Sequence, residues 1–115
     1  MEELNWQPFE AGQTLQRTGM EGGTILLDDE HPAGARITLE AECLRAPYAV
    51  TCGVYGWLVH TRFFTDDESA QFAVEEMKPV LEAIVLMLPD EDDPAPDVKM
   101  DAVSDAISAF SERFP

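Results

Sequence analysis

Across residues 35–43, apolar and polar side chains alternate without exception. Ala35, Ile37, Leu39, Ala41 and Cys43 interleave with Arg36, Thr38, Glu40 and Glu42. Period-two alternation of this length marks a strand with one buried and one exposed face. A fold built around this segment must therefore contain a sheet.

The flanking segments supply partners for that strand. Residues 48–64 are rich in aromatic and β-branched side chains, as expected of a well-covered strand. Gly53 and Gly56 interrupt the run and suggest a bulge or bend. Residues 24–27 read as a short apolar strand, and residues 14–20 as a weaker one joined to it by a Glu21-Gly22-Gly23 turn. Residues 28–34, with three acids, Pro32 and Gly34, read as a loop. The first 13 residues read as an arm whose Trp6 and Phe9 pack onto the domain.

Beyond residue 64 the period changes. Thr65 with Glu68 matches a capping box, and Ala73, Met77, Val80, Leu81, Ile84, Val85 and Leu88 fall on one helical face over residues 65–88. Pro79 is expected to kink this helix. Residues 89–96 form an acidic linker. A last helix over 97–114 aligns Val103, Ala106, Ile107, Phe110 and Phe114. The expected fold is thus a single α+β domain spanning residues 1–115, a four-stranded antiparallel meander followed by two C-terminal helices packed on one face.

A turn at Ala46 and Pro47 sets a register. It places Leu39 opposite Gly56, Ile37 opposite Leu58, Ala35 opposite His60 and Cys43 opposite Cys52. Directly opposed residues share a side of the sheet. One face then collects the apolar series with Val50, Cys52, Val54, Leu58 and His60, and becomes the core beneath the helices. The other collects Arg36, Thr38, Glu40 and Glu42 with Tyr55, Trp57, Val59 and Phe63. Those last four form an aromatic stripe that reads as an interaction surface, unless the arm with Trp6 and Phe9 folds across it.

Charge narrows the partners. The chain of 115 residues carries 23 acids against 7 lysines and arginines, a formal charge of −16. From Asp66 onward, 14 acids face three cations, a net of −11, so most of the field belongs to the helical half. Such a surface repels phosphate backbones and anionic lipid and attracts basic proteins. No stretch is apolar enough to span a bilayer, and the start of the chain lacks the basic and apolar regions of a signal peptide. Cytoplasmic residence follows as the expectation.

The chemical motifs are sparse. His31 beside Asp28, Asp29 and Glu30, and the run at residues 90–93, lack the spacing of a metal loop, so no metal or other cofactor is expected. Cys43 and Cys52 read as reduced, buried thiols. His60, Cys52 and Tyr48 are weak candidates for the wall of a pocket between sheet and kinked helix, with Glu82 or Asp66 as acid–base partners for His60. No nucleophile elbow, phosphate loop or dinucleotide pattern is present, and no catalytic residue is assigned.

The first expectation is a non-catalytic protein-interaction module, homodimeric through the aromatic face and able to hold a basic protein. A small enzyme or ligand-binding domain near His60, or an acidic mimic of a nucleic acid, are the alternatives.

Overall fold

A computed structural model describes residues 6–89, 94 and 96–115. The expectations for residues 1–5, and most of those for the acidic linker, lie outside the described residues. The sheet is antiparallel and has five strands in chain order: β1 (Gln7–Pro8), β2 (Thr24–His31), β3 (Ala35–Ala41), β4 (Tyr48–Val54) and β5 (Leu58–Phe64). Two helices follow, α1 (Asp67–Val85) and α2 (Pro96–Arg113).

The class is α+β, as the periodicities indicate, but the strand count is corrected from four to five. Residues 14–20 are not a strand. They form turns that join β2 through the isolated bridge Thr18 to Thr24 and through backbone hydrogen bonds of Gln16 and Arg17 with Ile25. The single strand expected over 48–64 is a hairpin, turned at Tyr55-Gly56-Trp57 and closed by the Trp57 N–H donating to the Val54 carbonyl at 2.9 Å. Gly56 has φ +82°, a left-handed conformation that glycine adopts without a steric penalty. The arm contributes β1, which contains Pro8 and pairs with β2 at Gln7–Glu30 and Pro8–Asp29.

The register between β3 and β4 also differs from expectation. Ile37 faces Cys52 and Ala35 faces Val54, because a six-residue loop replaces the tighter turn. The displacement is by an even number of residues, so the faces are unchanged. Cys43 and Cys52 are not opposed. Cys43 lies in the loop, while Cys52 faces Ile37 on one side and His60 on the other.

Residues 28–31, expected in a loop, complete β2 instead. Polar partners elsewhere make this possible, as described below. At the start of α1 the cap is Asp66, not Thr65: its carboxylate accepts from the Ser69 N–H at 2.7 Å and the Ser69 hydroxyl at 3.0 Å.

The core lies between the sheet and α1. Ile37, Leu39, Val50, Cys52 and Val54 meet Ala70, Ala73, Val74, Met77, Leu81, Ile84 and Val85, all buried. Each buried Val, Leu, Ile or Met among them stabilises the fold by about 1.5–3 kcal/mol relative to exposure. α2 attaches more lightly, through Val103, Phe110 and the following Phe114. The Phe110 ring meets His60 of β5 edge-on at 6.1 Å. Among the described residues, no helix packs on the opposite side of the sheet; residues 14–23 cover part of it, and the rest, called the open face below, is exposed.

Candidate functional site on the open sheet face

The open face holds a groove of about 740 Å³. Its floor is made by Arg36, Thr38 and Glu40 of β3, Thr51 and Gly53 of β4, and Val59 of β5. One wall is the hairpin turn with Tyr55 and Trp57. The other is the irregular segment from Thr14 to Met20, with Ile25 at its base.

Two buried carboxylates hold this second wall in place. The Asp28 side chain is fully buried and accepts four hydrogen bonds. Arg36 donates from Nε at 2.8 Å and Nη2 at 2.6 Å, Thr38 from Oγ1 at 3.1 Å, and Thr14 from Oγ1 at 2.8 Å. The paired bonds from Asp28 raise the Arg36 pKa above its ordinary value. The guanidinium also lies 3.6 Å from the centre of the Phe9 ring, so Arg36 ties the arm to the sheet.

Glu40 is held differently. It is buried to 0% exposure, and its acceptors take the Glu21 and Gly23 backbone N–H groups at 3.1 Å. A carboxylate here anchors the Glu21-Gly22-Gly23 turn from beneath. Gly19 closes over it so tightly that an added Cβ would sit 2.3 Å from the Glu40 carboxyl carbon.

The helix-facing side of β2 carries a second polar cluster. Lys78 of α1, itself buried, bonds Asp29 at 2.6 Å, and His31 meets Glu82 of α1 at 2.8 Å. The His31 Nδ1 accepts from the Ala33 N–H at 3.1 Å, which places the proton of a neutral ring on Nε2, facing Glu82. Trp6 closes the cluster with its ring edge-on to His31 at 5.4 Å. Asp28, Asp29 and His31 are therefore structural partners of Arg36, Lys78 and Glu82, and Glu30 accepts from Tyr55; none is a member of a solvated loop. Among the described residues, no three His, Cys, Asp or Glu side chains converge as a metal-ligand set.

The sequence-derived stripe is dispersed over the open side. Val59 is 73% exposed and Phe63 43% exposed, both on the face of β5 away from the helices. Tyr55 and Trp57 belong to the turn. The Tyr55 hydroxyl donates to Glu30 at 2.7 Å, and partial burial with that bond pushes its pKa up to about 12. Trp57 packs against the core as well as the groove. Among the described residues, the two aromatics of the arm lie elsewhere: Trp6 at His31 and Phe9 on Arg36.

The weaker trio lies on the other face. His60 donates to the Phe114 carbonyl and packs against Phe110 rather than pairing with Glu82 or Asp66. Cys52 faces His60 across the hairpin, and burial pushes its thiol up to about 12. Tyr48 packs beside Phe64 at the far end of the strand. These three do not converge, and His60 and Tyr48 do not line the groove.

Sequence reasoning missed Asp28, Arg36 and Glu40 as organisers of the groove. The alternation put Arg36 and Glu40 on the open side, and nothing local marked their partners. No protein-family model matches the chain, nor does any curated protein or solved structure. Among the described residues, no helix is long and apolar enough to cross a membrane.

Proposed function

We propose that the chain is a non-catalytic protein-interaction module, with both helices as scaffold on one face of the sheet and the partner received on the other. The observation that carries this reading is the groove, with Tyr55 and Trp57 in its wall and Val59 in its floor. The polar side chains of its floor, with Thr14 above them, are already engaged. Thr38 and Thr14 bond Asp28, Thr51 bonds Thr61, and Glu40 holds backbone amides. Apolar surface over satisfied polar groups favours binding, whereas acid–base chemistry needs a group free to move a proton. The field of the helical half gives a basic partner a second, salt-sensitive contact.

A photo-crosslinking residue at Val59, compared with one at Glu75 on the exposed side of α1, tests the reading in cells. Protein adducts at position 59 well in excess of those at 75 are expected. Equal labelling at both positions, or no protein adduct at 59, would contradict it.

A second reading has one observation in its favour. A groove of 740 Å³ lies in the range of small-molecule sites, roughly 300–1,000 Å³. A low-mass apolar compound retained in native mass spectra, and lost on Val59→Glu, would favour that reading instead.

A further inference from the structure

β5 pairs with β4 on one side only, and on its other side its backbone N–H and C=O groups have no hydrogen-bond partner among the described residues. Unpaired edges template further pairing, and proteins usually guard them with proline, bulges, very short strands or charges. β5 has none of the first three. It is seven residues long, contains no proline and stays in continuous register with β4. Its sequence, Leu-Val-His-Thr-Arg-Phe-Phe, contains no acid, although the chain as a whole carries −16.

Arg62, its one cation, is drawn to the helix side. Its Nη1 donates to the Met77 sulfur at 3.6 Å, its Nε to the Pro115 carbonyl at 3.4 Å, and its guanidinium lies over the Phe64 and Phe114 rings. The open-face positions Val59, Thr61 and Phe63 are left as an uncharged, partly apolar row.

We infer that β5 pairs antiparallel with β5 of a second copy of this chain, joining two five-stranded sheets into one of ten strands. This inference rests on the reading of the chain as an interaction module; it names a second copy as a partner and places it at the β5 edge, beside the open face. The strand is self-complementary about Thr61. With Thr61 on the two-fold axis, Leu58 opposes Phe64, Val59 opposes Phe63 and His60 opposes Arg62, so all seven residues pair. The two most exposed apolar residues of the strand become cross-strand neighbours on the open face.

Charge favours a second copy over a basic partner at this edge. A basic segment would find no carboxylate along β5, whereas two copies set two acid-free strands side by side. Their acidic helices stay on the other side of the joined sheet, and Asp66, the nearest acid after the strand, lies beyond the paired residues in both copies.

The register makes a specific test. Sedimentation or light scattering of the wild-type chain should give twice the 12.8 kDa of one copy. Val59→Glu alone and Phe63→Lys alone should each raise the dissociation constant about tenfold or more, since each change occurs twice across the two-fold. Mixing the two variants should restore the doubled mass, because each new carboxylate then faces a new ammonium and each Val59 keeps its Phe63. Circular dichroism of each variant checks that the fold is intact.

A chain that remains at 12.8 kDa up to about 1 mM, the limit of weak association, overturns the inference. So does a dimer indifferent to both substitutions, or a mixture that fails to re-form. A monomeric chain that still gives heterologous adducts at position 59 overturns the inference while leaving the interaction-module reading in place.

Discussion

The two edges of the sheet are finished in opposite ways. At the β1 edge the strand is two residues long and contains Pro8, and β2 bulges at Leu26 beside it. The segment from Gln16 to Gly23 then folds back along the upper part of β2, with the Gln16 N–H on the Ile25 carbonyl and the Ile25 N–H on the Arg17 carbonyl. At the β5 edge there is a full strand, unbulged, with Val59 and Phe63 in water. The guarded edge is also the one into which the chain places its buried charges. The difference indicates that polar groups were spent on closing one side of the sheet, leaving the other with backbone and apolar side chains to offer.

That contrast can be broken from the guarded side. Arg36→Ala should have the largest effect, because it leaves the fully buried Asp28 without its cation and Phe9 without its stacking partner. The partly exposed guanidinium puts the loss near the lower end of the range for buried pairs, about 3 kcal/mol in chemical denaturation. Glu40→Ala comes next. It strips the Glu21 and Gly23 amides of their acceptor, for an expected loss of about 2 kcal/mol. It should also raise amide exchange at residues 19–23 while the amides that bond β4 to its neighbours stay protected.

On the unguarded side the same denaturation experiment should show little. Val59→Glu alters a side chain that is 73% exposed, so the stability of the single chain should move by no more than about 1 kcal/mol. A large loss there would mean that Val59 belongs to the core and that β5 is not an open edge.

Much of the architecture was legible because it depends on local periodicity. The alternation through residues 35–43 placed Ile37 and Leu39 on the helix side and Arg36 and Glu40 on the open side. It did so despite a wrong register, since a displacement by an even number of residues preserves faces. The helices were legible for the same reason. What escaped depends on partners far away in sequence. Residues 28–31 look like loop because acids at the end of a strand are usually wet. They are strand because Arg36, Lys78, Tyr55 and Glu82 neutralise or bond them.

The turn at Tyr55-Gly56-Trp57 hid inside an apolar run with only glycine to mark it. β1 is too short, and too close to Pro8, to register as a strand at all. For the site, the stripe was found as residue types but not as a surface: Val59 and Phe63 share a face, whereas Tyr55 and Trp57 belong to the turn.

The smallest expected effect lies just beyond β5, at the α1 cap. The Ser69 N–H, followed by the Ser69 hydroxyl, holds the Asp66 carboxyl below its ordinary pKa of 3.8. A folded-state pKa below the unfolded one stabilises the protein above the unfolded value, and the contribution disappears as pH falls through the folded value. Asp66→Ala should therefore lower Tm slightly at neutral pH, and the gap to wild type should close below about pH 3.8. Asp66→Asn, which keeps an acceptor, should retain most of the cap. A gap that widened in acid would reverse the sign and remove Asp66 as the cap.

Amide hydrogen exchange across a dilution series tests the difference between the edges most directly. Those β5 amides that do not bond β4 should exchange freely in dilute protein and slow in step with self-association, while the amide of Gln7 at the guarded edge is unchanged. Exchange of those β5 amides at the unprotected rate at every concentration would contradict pairing of β5 with its own copy.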